Sequence, residues 1–176
     1  MGLSASKRVK QSLTNSPDFN SACNSVYESS LALAQHAFPG IKPYQLFSAI
    51  ERLHQTLINS SSIPLITKWA PHPPTREQVD RAFKSILSRR RQSDSSPDEE
   101  SDVVLGKEEF GEFAVEVFAD GVVSSARKEV LKRVPIGVAG IAGVGMIVKP
   151  GKEVVGTVIG VYALGVATAV YLSLTG

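Results

Sequence analysis

The chain is poor in the residues that build small catalytic or metal centres. One thiol, Cys23, excludes an internal disulfide framework and fits a reducing compartment; its place on an apolar helix face reads as a buried thiol. Three histidines, His36, His54 and His72, show no zinc-ligand spacing with it. There is no glycine-rich phosphate loop, no G-x-S-x-G and no paired His/Asp constellation, so no enzymatic activity is expected. Glu99/Glu100 and Glu108/Glu109 are adjacent in sequence and read as solvated charges. Nineteen basic against 17 acidic residues leave a net charge of +2. The few aromatics are not interleaved with basic residues, and no nucleic-acid partner is expected. No apolar run precedes residue 19, so neither a secretory signal peptide nor a GPI anchor is expected.

Charge itself is missing from one long stretch. From Val154 to Gly176 no side chain is charged, and as a helix the run 154–175 would extend roughly 33 Å against a hydrocarbon core of about 30 Å. It lacks a polar stripe, and a transmembrane helix is the first reading; a fully buried core helix is the alternative. A second apolar run, Val134–Val148, precedes it, weakened as a helix by Gly137, Gly140, Gly143 and Gly145. Arg127, Lys128, Lys132 and Arg133 lie before that run, and Lys149 and Lys152 after it. If basic residues stay on the cytosolic side, only the second run spans; a two-leg hairpin is the runner-up. Gly156, Gly160, Gly165 and Ala169 stand at spacings that let two helices approach closely in lipid, which favours a homo-oligomer through the tail.

The first residues carry another membrane signal. Met1-Gly2-Leu3-Ser4-Ala5-Ser6 fits M-G-x-x-x-[ST], which predicts myristoylation at Gly2. Lys7, Arg8 and Lys10 follow and suit anionic headgroups. Residues 1–15 are expected to be disordered, and membrane lipid to be a partner at both ends of the chain.

Between the ends, periodicity predicts an all-α domain over 16–133. Ser16 caps and Pro17 opens a helix whose apolar residues run from Phe19 to Phe38; Pro39-Gly40 stops it. Pro43 opens a second helix with Tyr44, Phe47, Ile50, Leu53 and Leu57 on one face. The linker 59–74 is proline-rich and no helix is expected in it, with Trp69 packing onto the domain. Thr75 to Gln78 read as a capping box for a third helix, ending near Arg89-Arg90-Arg91. Within the linker 88–105, residues 92–102 are acidic and serine-rich; Ser93, Ser95 and Ser96 are candidate phosphorylation sites. A fourth helix is expected from about Gly106 to Arg133, with Asp120-Gly121 as a point of interruption.

The segment from Asp98 to Phe110 can be laid on a 12-residue calcium loop. Asp98 takes position 1, Glu100 position 3, Asp102 position 5, Val104 position 7 through its carbonyl, and Glu109 position 12. Leu105 falls on the apolar position 8. Val103 stands where glycine makes the sharp turn, and is expected to strain it. Aligning Ile41 with the same position 8 puts Gln45 at position 12 of an earlier loop with no carboxylate. Through QHAFPGIKPYQLF (35–47) and the K-E-E-F segment, residues 16–118 resemble a degenerate EF-hand pair, as in small plant EF-hand-like membrane-associated proteins. The resemblance implies calcium as the ligand, without a cofactor otherwise.

The expected architecture is two helix–loop–helix pairs followed by a glycine-rich C-terminal transmembrane segment over 134–176. Two functions fit it: a membrane-anchored, cytosol-facing adaptor that binds calcium or an unidentified protein partner, or a membrane protein acting through self-association of its tail.

Overall fold

The computed structural model describes residues 4–35, 37–93, 103–148 and 152–174, with the side chains of 93, 133–148, 152–156 and 158 outside that description. The described residues form seven helices and no strand, so the fold is all-α. They are α1 (Ala5–Thr14), α2 (Pro17–Leu33), α3 (Pro43–Ser60), α4 (Pro64–Trp69), α5 (Arg76–Ser93), α6 (Lys107–Val148) and α7 (Lys152–Ser173).

Several boundaries follow from local chemistry foreseen in the sequence. Ser16 Oγ accepts the Phe19 N–H at 3.3 Å at the start of α2. Thr75 and Gln78 close a reciprocal box before α5, with Thr75 N–H donating to Gln78 Oε1 at 2.9 Å and Gln78 N–H to Thr75 Oγ1 at 3.4 Å.

Helix α6 is the centre of the domain. Phe110, Phe113, Ala114, Val117, Phe118, Ala119 and Val122 are fully buried, a broad apolar face, while Glu109, Glu112, Glu116 and Asp120 share the remaining polar stripe. Helices α1, α2, α4 and α5 all pack on it. Phe19 of α2 meets the Phe118 ring edge-on at 5.8 Å between centroids. His54 of α3 stacks on the same ring at 6.2 Å and pairs its Nε2 with the Ala70 carbonyl at 2.8 Å, which satisfies a buried polar side chain.

Four sequence expectations are corrected here. Residues expected to be disordered form α1, because Val9 and Leu13 are buried to 0% and 1% exposure against the domain. Lys10 pairs with Glu116 at 2.7 Å and Arg8 lies 4.7 Å over the Tyr171 ring, contacts that hold α1 to α6 and α7. The 59–74 linker contains α4, because Pro64 occupies the first turn, where a missing N–H is harmless, and the helix ends before Pro71. Helix α6 runs on past Arg133 to Val148, through Asp120-Gly121, where Asp120 instead binds Arg81 at 2.9 Å and Gln78 at 3.3 Å.

The tail runs back along the domain. Val170 and Leu174 are buried to 8% and 3% exposure, beside Val123, Ala126 and Val130 of α6. Helices α6 and α7 are therefore the two legs of an antiparallel hairpin. Among the described residues no helix is long and apolar enough to cross a membrane, and the expected span 154–175 has no support there. The charge-free run does not form a lone spanning rod, because its last turns are bound to the domain.

Candidate functional site: two bridged loops

The loop after α2 and the loop before α6 meet back to back. Ile41 N–H donates to the Leu105 carbonyl and Leu105 N–H to the Ile41 carbonyl, each at 2.9 Å. These two residues are the ones aligned on the apolar position 8 of each loop. Both side chains are buried, at 0% and 1% exposure.

The next residues repeat on either side of the bridge. Lys42 N–H donates to Gln45 Oε1 at 3.0 Å at the start of α3. Gly106 N–H donates to Glu109 Oε2 at 3.0 Å at the start of α6. Each position-12 side chain thus closes the helix that leaves its loop. Leu46 and Phe110 follow, both buried. Helix α2 packs on α3 and α5 on α6, and the bridge joins the segment after α2 to the segment before α6.

Gly40 is fixed by this approach. A Cβ there would overlap the Leu105 carbonyl oxygen and stand 2.9 Å from both the Leu105 carbonyl carbon and Val104 Cγ1. The residue needs no unusual φ; it needs the absence of a side chain. On the outer side Tyr27 donates its hydroxyl to the Pro39 carbonyl at 3.5 Å. Burial and the neighbouring Glu28 charge both raise the Tyr27 phenol above its ordinary range.

The calcium-loop residues divide. Asp98, Glu100 and Asp102 lie outside the described residues, as do Ser95, Ser96 and the side chain of Ser93. Val104 precedes the bridge. Glu109 places one oxygen on Gly106 N–H and the other 3.6 Å from Arg90. Among the described residues no three His, Cys, Asp or Glu side chains are grouped to hold a metal ion. Val103 is 4% exposed, and its backbone is not left-handed; among non-glycine described residues only Gln35 and Ser61 have positive φ. The expected strain at Val103 is absent, because the chain turns without a left-handed residue there and the isopropyl group packs inward.

The tail residues also divide. Gly2 and its neighbours lie outside the described residues. Among the described residues an added Cβ at Gly160 or Gly165 would meet nothing within 4 Å, and both glycines are exposed. Ala169 borders a hollow shared with Lys68 and Trp69 of α4, and so faces the domain's own surface. Trp69 itself is 7% exposed, and packs onto the domain as expected.

Sequence reasoning missed the ion pairs that tie α1 and α5 to α6. Glu116 accepts from Lys10 at 2.8 Å and from Arg89 at 3.1 Å. Glu116 stands on one stripe with Glu109, Glu112 and Asp120, and nothing in the local sequence says that this stripe faces the arginines of α5. Cys23 is 4% exposed, and burial pushes its thiol up to about 12, so it is chemically quiet at neutral pH.

No protein-family profile, curated protein or solved structure matches the chain.

Proposed function

We propose that the chain is a membrane-anchored, cytosol-facing helical adaptor: the bridged loop pair is its binding head and the apolar hairpin its anchor. The observation that carries the head is the Ile41–Leu105 bridge with its repeated caps, Gln45 and Glu109, which supports reading the domain as paired EF-hand-like units. Leu33 and Tyr44, 71% and 72% exposed at the helix ends beside the first loop, offer apolar surface to a protein partner there. Calcium is the ion class the second loop would take, with Glu109 released from Arg90 and joined by Asp98, Glu100, Asp102 and the Val104 carbonyl.

The anchor is read as two legs of about 15 residues, 134–148 and the facing part of α7, each extending roughly 22 Å. That is short of the hydrocarbon thickness of about 30 Å, so the hairpin dips into the bilayer from the domain's side.

Alkaline carbonate extraction of cell membranes tests the anchor. The full-length protein is expected in the pellet, and its release would remove the anchor from the reading. Calorimetry of the detergent-solubilised chain tests the ion: heat on titrating calcium that is lost in Glu109→Gln supports it, and no heat at millimolar calcium ends it.

A second reading rests on Gly160 and Gly165. Their open faces, with Val161 and Leu164 exposed at 67% and 70%, support self-association of tails through α7. Cysteine crosslinking from position 161 in membranes distinguishes it: dimers expected from self-association would be missing if the tail only anchors.

A further inference from the structure

An open apolar groove of about 580 Å³ lies between the start of α1, the middle of α6 and the end of α7. Ala5, Val123, Ala126, Val130, Val170 and Leu174 line it, and the polar side chains of its lining are Ser4, Ser6, Arg127 and Tyr171. The groove opens to solvent past Leu131, which is 71% exposed, so it presents apolar surface that an apolar group would cover. Its volume falls within the range of about 300–1,000 Å³ found for small-molecule sites.

The chain itself supplies an apolar group at the rim. Ser4 lines the groove, and Gly2 is two residues before it, so the Gly2 nitrogen is held within about 8 Å of Ser4 by chain geometry. A fatty acyl chain on that nitrogen enters as an intramolecular ligand at high effective concentration. A bilayer held beside the domain by the hairpin is the competing site for the same acyl chain.

We propose that the groove between α1, α6 and α7 holds the saturated acyl chain attached to Gly2, so that the lipid fastens the N-terminal helix to α6 and α7. This rests on the acylation reading of the Met1–Ser6 pattern. It assigns the acyl group a place on the protein rather than in the membrane. The amide end lies toward Ser4 and Ser6, and the methyl end toward Val130 and Val170.

The test is photo-crosslinking of the full-length chain in cells supplied with a diazirine-bearing myristic acid analogue, followed by peptide mass spectrometry. Crosslinks from Gly2 to the peptides containing Val130 and Val170 are expected. Ala167→Trp, from an exposed position on the groove wall, should lower their yield by roughly fivefold or more. Val123→Phe, filling from the opposite wall, should do the same if the first variant misfolds. An acylated chain whose crosslinks all go to lipid overturns the groove assignment and leaves acylation standing. Equal yields from wild type and both filled variants also overturn it. A Gly2 peptide carrying no acyl group overturns the acylation reading and the groove assignment with it.

Discussion

Gln45 and Glu109 hold the same place on opposite sides of the loop bridge: each accepts, at 3.0 Å, the backbone N–H three residues before it, one residue beyond the bridged pair. The two side chains differ by a charge, not by role. A neutral amide suffices to cap α3, so the carboxylate of Glu109 is in excess of what capping α6 requires. That surplus charge is met by Arg90 at 3.6 Å.

The bridge predicts opposite outcomes for two glycine-to-alanine changes. Gly40→Ala puts a methyl group into the Leu105 backbone and should lower stability by about 1–3 kcal/mol. Gly111→Ala, inside α6 with nothing within 4 Å of the new methyl, should raise it by about 0.5–1 kcal/mol. Urea unfolding of both variants measures the signs; a neutral Gly40→Ala would mean the loops do not approach as described.

Glu116 joins α1 to α5 through α6. Its side chain is 21% exposed, so Glu116→Gln should cost about 1 kcal/mol, after screening of the half-exposed Arg89 and Lys10 is allowed for. Lys10→Met should show a similar loss, and the double variant less than the sum. Hydrogen exchange should quicken in α1 in every case; unchanged exchange in Ala5–Thr14 would contradict the pairing.

Cys23 sets an alkaline slope. The thiol is raised by burial from its ordinary 9.0 to about 12, so between those values the unfolded chain releases a proton that the folded chain keeps. Stability is unaffected by this group below pH 9 and falls as pH rises from 9 toward 12. Tyr27, also raised, acts in the same direction. Cys23→Ala should flatten the decline, as read from urea midpoints at pH 8 and pH 10.5.

Val103→Gly should destabilise. The side chain is 4% exposed and the backbone there needs no glycine, so the change deletes packing, adds backbone entropy and should cost about 2 kcal/mol. Tighter calcium binding in this variant would show that the loop adopts a left-handed turn when loaded.

The sequence was legible where the signal is local. Ser16-Pro17, Pro43 and the Thr75–Gln78 box announce helix starts because the capping atoms lie within three residues of one another. The alignment of Ile41 with Leu105 was also readable, since the loop pattern puts both at one position. Helix α1 was hidden because two apolar residues, Val9 and Leu13, gain their meaning only from α6, which lies a hundred residues away. Helix α4 was obscured by its prolines, since Pro64 can open a turn as well as forbid one. The length of α6 was missed because a glycine-rich run has poor helix propensity in isolation, while α7 supplies a packing surface along it.

Helix α6 runs from beside the loop bridge at Lys107 to Val148, a contour of about 63 Å. It is the one element that α1, α2, α4, α5 and α7 all touch. Glu109 in its first turn and Val130 far along it therefore belong to one continuous backbone, and whatever loosens one end of that beam is felt by every helix resting on it.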